Sequence, residues 1–207
     1  LATWTFHIFG LVEQEVTLSW DEFMALSQSK SRSDIHCVTT WSKFDNDWDG
    51  VVMDDLFALA GPKPEAAHVI FHSYGGYTTN VPLAELHGPE NMLVHTHNGE
   101  PLTQEHGWPL RGLVPNLYFW KSAKWVRGIE FVAADRAGFW EMYGYHMHGD
   151  PWTERPGRCS LCRLRLQGHE PQPKRSTWSS MRRQGAETNV IDASNRGNHR
   201  RAAVTCE

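Results

Sequence analysis

Alternation of apolar and polar residues opens the chain. Trp4-Thr5-Phe6-His7-Ile8-Phe9 repeats at every second position, so Thr3 to Phe9 is expected as a strand with one buried face. After a turn at Gly10, Glu15 to Leu18 alternates again. Ser19-Trp20-Asp21-Glu22 has the form of a capping box, in which serine and glutamate side chains meet each other's backbone N–H groups. A short helix carrying Phe23, Met24 and Leu26 follows from it. Ile35 to Thr39 reads as a strand and Asp49-Gly50 as a turn. Asp54 to Ala60 is a short amphipathic helix stopped by Gly61-Pro62. His68 to His72, Thr78 to Val81, Met92 to Thr96 and Trp125 to Ala133 are further strands. Short helices among many strands, without regular strand–helix alternation, indicate an α+β fold with mixed sheets. The chain shows no internal repeat and no glycine-rich phosphate loop of the nucleotide-binding kinds.

Composition narrows this picture. With 207 residues, 40% hydrophobic and 12% aromatic, the chain can bury a sizeable core. A formal charge of −4 gives no case for nucleic-acid binding, and no apolar run reaches membrane-spanning length. The opening strand lacks the basic lead and cleavage site of a secretory signal. Leucine rather than methionine stands first, so the expectation is a missing true N-terminus, with which an export signal could have gone. A cytoplasmic protein is the working expectation.

Charge divides the chain. Residues 1–150 hold 9 Lys and Arg against 19 Asp and Glu, whereas residues 151–207 hold 11 against 5. Past Trp152 the sole aromatic is Trp178, so residues 154–207 are expected to be a basic tail, disordered or aberrant, following a domain over 1–153. A basic arm for an anionic surface is the alternative. Cys159 and Cys162 have the spacing of half a zinc site, but no second pair follows at usable spacing. Cys206 lies near the end, leaving Cys37 as the only cysteine of the part that reads as folded.

Candidate chemistry begins at Cys37, inside the extended run Asp34-Ile35-His36-Cys37-Val38-Thr39-Thr40-Trp41. A lone cysteine is ordinarily a small buried hydrophobe, yet its thiolate is also a soft donor suited to redox metals. Between His106 and Arg111, Gly107 and Pro109 force a non-helical loop. A guanidinium fork suits phosphate oxygens and an imidazole can bond a heterocycle edge, although such an arginine is also a common surface ion-pair partner. Lys121, Ser122 and Lys124 gather two cations and a hydroxyl, enough to neutralise a terminal phosphate, or else to guard a solvated strand edge. His95 with His97, and His146 with His148, could each chelate zinc or iron from one side, but no metalloprotease-type motif accompanies them. Tyr145 lies in the aromatic-rich stretch Gly138 to His146, where packing is the ordinary role and a phenol donor the sharper one.

Asn98-Gly99-Glu100-Pro101-Leu102, His106-Gly107-Trp108-Pro109-Leu110-Arg111, Lys121-Ser122-Ala123-Lys124-Trp125 and the Cys37 stretch together resemble the molybdenum-pterin domain of the sulfite oxidase family. The likeness covers roughly residues 4 to 153 and is strongest over Asn98 to Lys124. It implies the mixed-sheet fold of that domain and a molybdenum-molybdopterin cofactor, with Cys37 as the protein's thiolate to the metal. By the same resemblance His106, Arg111, Lys121, Ser122 and Lys124 hold the pterin and its phosphate, and Ser73 is a further contact drawn from the reductase branch. Tyr145, five residues after Trp140, would line the substrate pocket. The implied activity is oxygen-atom transfer to or from a small sulfur-containing substrate, sulfite or a sulfoxide, with electrons passed to a separate carrier. The single-domain prokaryotic oxidoreductases are the branch it most resembles.

Departures from the family qualify the substrate. Ser42 and Lys43 follow Trp41 where sulfite oxidases carry arginines, and the dimerisation and haem domains of those enzymes are not expected within these 207 residues. A non-catalytic relative that binds the cofactor is the first alternative, and a zinc or iron hydrolase using the histidine pairs the second.

Overall fold

The computed structural model describes residues 1–153. The chain runs through β1 (Thr5–Gly10), β2 (Val16–Ser19), α1 (Trp20–Met24), β3 (Ser29–Cys37), β4 (Trp41–Val52), α2 (Met53–Ala60), β5 (His68–Ser73), β6 (Thr78–Pro82), β7 (Met92–His97), β8 (Glu100–Pro101), β9 (Arg111–Leu113), β10 (Val126–Val132) and α3 (Phe139–Met142). These strands make two sheets. One has the order β2-β1-β10-β5-β6, and the other is β3-β4-β7-β8 with β9 paired to β7. The β1–β10 pair is parallel and every other ladder antiparallel, so the expected α+β architecture with mixed strand directions is what forms.

The alternation in β1 explains its orientation: Phe6 and Ile8 are fully buried while His7 and Phe9 face outward. Val69 and Phe71 of β5 and Ile129 and Phe131 of β10 complete that inner face. It shares one core with Val51 of β4, Leu93 of β7, and Leu56 and Phe57 of α2. Each such side chain contributes about 1.5–3 kcal/mol by leaving water. Ser19 and Glu22 cap α1 as expected, the serine N–H donating to Glu22 Oε2 at 2.8 Å and the Glu22 N–H to Ser19 Oγ at 3.3 Å. Gly61 ends α2 in the left-handed region at φ +64°, its N–H donating to Phe57 O.

Asp49-Gly50 is not a turn. Both residues lie inside β4, where Gly50 pairs with Ser29 on one side and Val94 on the other. The glycine serves close approach: a Cβ there would stand 2.1 Å from Leu93 O, beside an irregularity in the β4–β7 register. The preceding strand is also longer than expected, starting at Ser29 rather than Ile35.

Among the described residues no helix is long and apolar enough to cross a membrane. The expected basic tail over 154–207, with Cys159, Cys162 and Cys206, lies outside the described residues.

Candidate functional site

Cys37 is the last residue of β3 and only 3% exposed. Ile35, two residues earlier on the same strand face, is buried as well. The β3–β4 hairpin turns over Val38, Thr39 and Thr40, with Thr40 N–H donating to Cys37 O and Thr40 held at φ +72°. That left-handed backbone is costly for a β-branched residue and fixes the strand end tightly. The thiol sulfur lies 3.0 Å from Thr39 Oγ1 and is in no disulfide.

A small apolar cluster backs this strand. Ile35, Trp48, Met92, Val94, Leu102, Leu113 and Phe119 pack together, and β3 lies against the 3₁₀ turn Phe119–Lys121. Arg111, at the start of β9 and 2% exposed, sets its guanidinium on the same cluster. Its Cζ stands 4.2 Å from the Phe119 ring centre and 5.9 Å from that of Trp48. Its Nη groups donate to His106 O at 3.0 Å and Ser122 O at 3.2 Å, which ties the 106–111 loop to the 122–124 segment. Gly107 makes this closeness possible. It has φ +110°, and a Cβ there would meet the Cβ atoms of Arg111 and Lys124 at 3.1 Å each. Thr103 Oγ1 lies 2.6 Å from His106 Nδ1, and Lys124 Nζ donates to Glu105 O at 2.8 Å. His106, Arg111, Ser122 and Lys124 therefore form one assembly on the cluster that backs the Cys37 strand.

Lys121 is the exception to the expected phosphate cluster. Its side chain turns away from Ser122 and Lys124 and is wholly buried. Glu141 Oε1 at 2.7 Å, Asn80 O at 2.8 Å, Asn80 Oδ1 at 2.9 Å and Met147 O at 2.6 Å surround its ammonium. Burial pushes its pKa below the usual lysine range, against the opposing pull of Glu141. An ammonium has three protons, and all are used by these acceptors.

Ser73 ends β5, buried, with its Oγ lacking a hydrogen-bond partner. It lines a cleft of about 330 Å³ with His72, Tyr77, Thr78 and Arg127. Tyr145 packs its ring 4.9 Å from Trp120 and 5.0 Å from Trp140. The segment that follows runs back past the Cys37 strand: Tyr118 N–H donates to Gly149 O, and Trp152 meets the ring of His36 edge-on at 4.9 Å. The chain after Tyr145 thus bridges the 119–121 turn and the neighbour of Cys37.

The histidine pairs are engaged elsewhere. His95 Nε2 lies 3.1 Å from Gln28 Oε1, His97 Nε2 3.0 Å from Asn46 Oδ1, and His148 Nε2 2.8 Å from Glu85 Oε1, while His146 Nδ1 accepts from the N–H groups of His148 and Gly149. Among the described residues no group of three or more His, Cys, Asp or Glu is disposed to hold a metal ion. His97 nonetheless joins the candidate site by another route. Burial first, then the charges of Lys43, Arg111 and His106, push its pKa down to about 4. The cause is burial of one imidazole beside several cationic side chains, which motif spacing could not disclose.

Residues 1–140 match the model of the oxidoreductase molybdopterin binding domain family. The oxidoreductase YuiH of Bacillus subtilis is 51% identical over 155 residues, a stretch covering 75% of this chain and 78% of that protein. The protein-methionine-sulfoxide reductase catalytic subunit MsrP of Gluconobacter oxydans is 27% identical, over 74% of this chain and 56% of its own length. Among solved structures, the sulfane dehydrogenase SoxCD of Paracoccus pantotrophus superposes with a TM-score of 0.59 at 22% identity, over 64% of this chain and 39% of that one, which is a likeness of fold. The chain thus spans about half the length of MsrP and less of SoxCD. From the family match and the YuiH identity, this chain belongs to the oxidoreductase molybdopterin-binding domain family, of sulfite oxidase-like type.

Proposed function

We propose that the chain is a molybdenum-pterin-dependent oxidoreductase that moves an oxygen atom to or from a small sulfur-centred substrate. The observation that carries this reading is the joining of the 106–111 loop to the 122–124 segment by Arg111, on the cluster that backs the Cys37 strand. When bound, a molybdenum-pterin group supplies two-electron oxygen-atom transfer at the metal.

The donor set suits such a group at most positions. Cys37 offers a soft thiolate held by a strained turn and shielded from water. His106, Arg111, Ser122 and Lys124 hold the anionic pterin and its phosphate, and the unmet Ser73 hydroxyl supplies a further contact. Lys121 does not suit a phosphate, because its protons are spent on Glu141, Asn80 and Met147. We assign it instead to holding the 119–121 turn in place. Tyr145 is oriented by Trp120 and Trp140, and its phenol donates to a substrate oxygen. The name of MsrP, a catalytic subunit, supports a separate electron carrier for this chain too.

Substrate and direction are tested together. The protein is purified from a molybdenum-replete host, analysed for metal and pterin, and assayed with dyes for sulfite oxidation and for methionine sulfoxide reduction. Molybdenum, pterin and turnover in one direction are expected. Bound molybdenum without turnover would favour the non-catalytic alternative, and zinc without pterin would overturn the reading.

A further inference from the structure

The amide of Asn46 is fully buried, and its Nδ2 donates to Ser33 O at 3.2 Å and Lys43 O at 2.9 Å. These two bonds turn Oδ1 toward His97 Nε2, 3.0 Å away. An amide oxygen only accepts, so Nε2 carries the imidazole proton and Nδ1 the lone pair. The low pKa produced by burial, Lys43, Arg111 and His106 keeps this ring neutral near pH 7.

The His97 ring stacks on Trp48, with centres 4.3 Å apart and planes 24° from parallel. Trp48 is 2% exposed, and its Nε1–H is buried with no hydrogen-bond partner. A buried, unmet N–H is an uncommon expense in a folded core. An acceptor and a donor therefore stand on stacked rings, beside the arginine already assigned to the pterin.

We propose that His97 and Trp48 are further binding residues for the edge of the bound heterocycle, His97 accepting at Nδ1 and Trp48 donating from Nε1. This rests on the reading under Proposed function and extends it to two residues outside the motifs. A pterin edge carries N–H donors next to ring-nitrogen and carbonyl acceptors, so both groups find complements. A phosphate offers acceptors and no donor at neutral pH beyond a single proton, and a neutral imidazole lone pair is poorly matched to it. The pair thus distinguishes the heterocycle from its phosphate.

The test compares wild type with Trp48→Phe and His97→Phe, each keeping an aromatic ring, after expression in a molybdenum-replete host. Molybdenum per chain and pterin fluorescence are measured on the purified proteins, and melting temperatures on their cofactor-free forms. Each variant is expected to retain about 5-fold less pterin and molybdenum, the effect of one hydrogen bond of about 1 kcal/mol. Trp48→Phe is expected to melt somewhat lower than wild type, because the smaller ring leaves a gap in the buried cluster, so retention is compared on protein shown to be folded. Nitrogen-15 resonances of His97 should show the Nε2–H tautomer without cofactor and an upfield shift of Nδ1 with it. Equal retention in both variants with an unmoved Nδ1, in a wild type that loads, overturns this inference alone. A wild type that carries neither molybdenum nor pterin overturns the functional reading and this inference with it.

Discussion

Lys121 Nζ lies 2.7 Å from Glu141 Oε1, and neither side chain has any solvent exposure. The pair joins the 119–121 turn to α3, with Trp120 Nε1 donating to the same carboxylate oxygen at 2.8 Å. Truncation of Glu141 would leave a buried ammonium without its counter-charge. Glu141→Ala is expected to cost about 3–5 kcal/mol in urea unfolding. Lys121→Met should also lower stability, since it strands the carboxylate. If Lys121→Met instead left stability intact and lowered only pterin content, Lys121 would be a phosphate ligand after all.

Gly50 is expected to tolerate no side chain. Its Cβ position is 2.1 Å from Leu93 O and 2.7 Å from Val94 Cα, both backbone atoms of the paired strand. Gly50→Ala must therefore push β4 from β7, and a loss of about 3 kcal/mol or more is anticipated in denaturant unfolding. Gly99→Ala is the control, with nothing within 4 Å but φ +81°. It should cost about 1–2 kcal/mol from backbone strain alone. Equal losses in the two variants would mean that the close approach at Gly50 does not matter.

Much of the fold was legible in the sequence, for reasons that particular strands make plain. In β1 and the second half of β10 the alternation survives because one face meets the core and the other the solvent side. By contrast β5, between β10 and β6, reads as a continuous apolar run because Val69, Ile70 and Phe71 are all buried. In β4, residues 42–45 are all exposed, so no buried period marks the strand, and Asp49-Gly50 carries a turn signature while serving strand contact. The candidate site shows the same division. His106, Arg111, Ser122 and Lys124 lie in short motifs, and their assembly follows from local loops. Lys121 closes a 3₁₀ turn that ends before Lys124, and its partners Asn80 and Glu141 come from distant segments. His97 is marked in the sequence only as half of a histidine pair, whereas its link to the site depends on Asn46 and Trp48 in another strand.

Burial, together with the cations around His97, also sets a pH dependence. Its folded-state pKa of about 4 lies below the unfolded value of about 6.5. Between those values the unfolded chain takes up a proton that the folded chain refuses. Stability of the cofactor-free protein should therefore fall as pH drops from about 6.5 to about 4 through this residue. His97→Gln should show a shallower fall over the same range in urea unfolding. Identical pH profiles would remove the cationic environment assigned to the ring.

Cys37 is where the account is most exposed. Cys37→Ser keeps size and shape, so it should cost about 1 kcal/mol of stability. Molybdenum K-edge X-ray absorption on the wild-type protein and on this variant, both from a molybdenum-replete host, measures the sulfur neighbours of the metal directly. One fewer sulfur neighbour in Cys37→Ser, or loss of the metal with the fold retained, is the predicted result. Identical sulfur coordination and unaltered turnover in the two proteins would contradict the role given to Cys37.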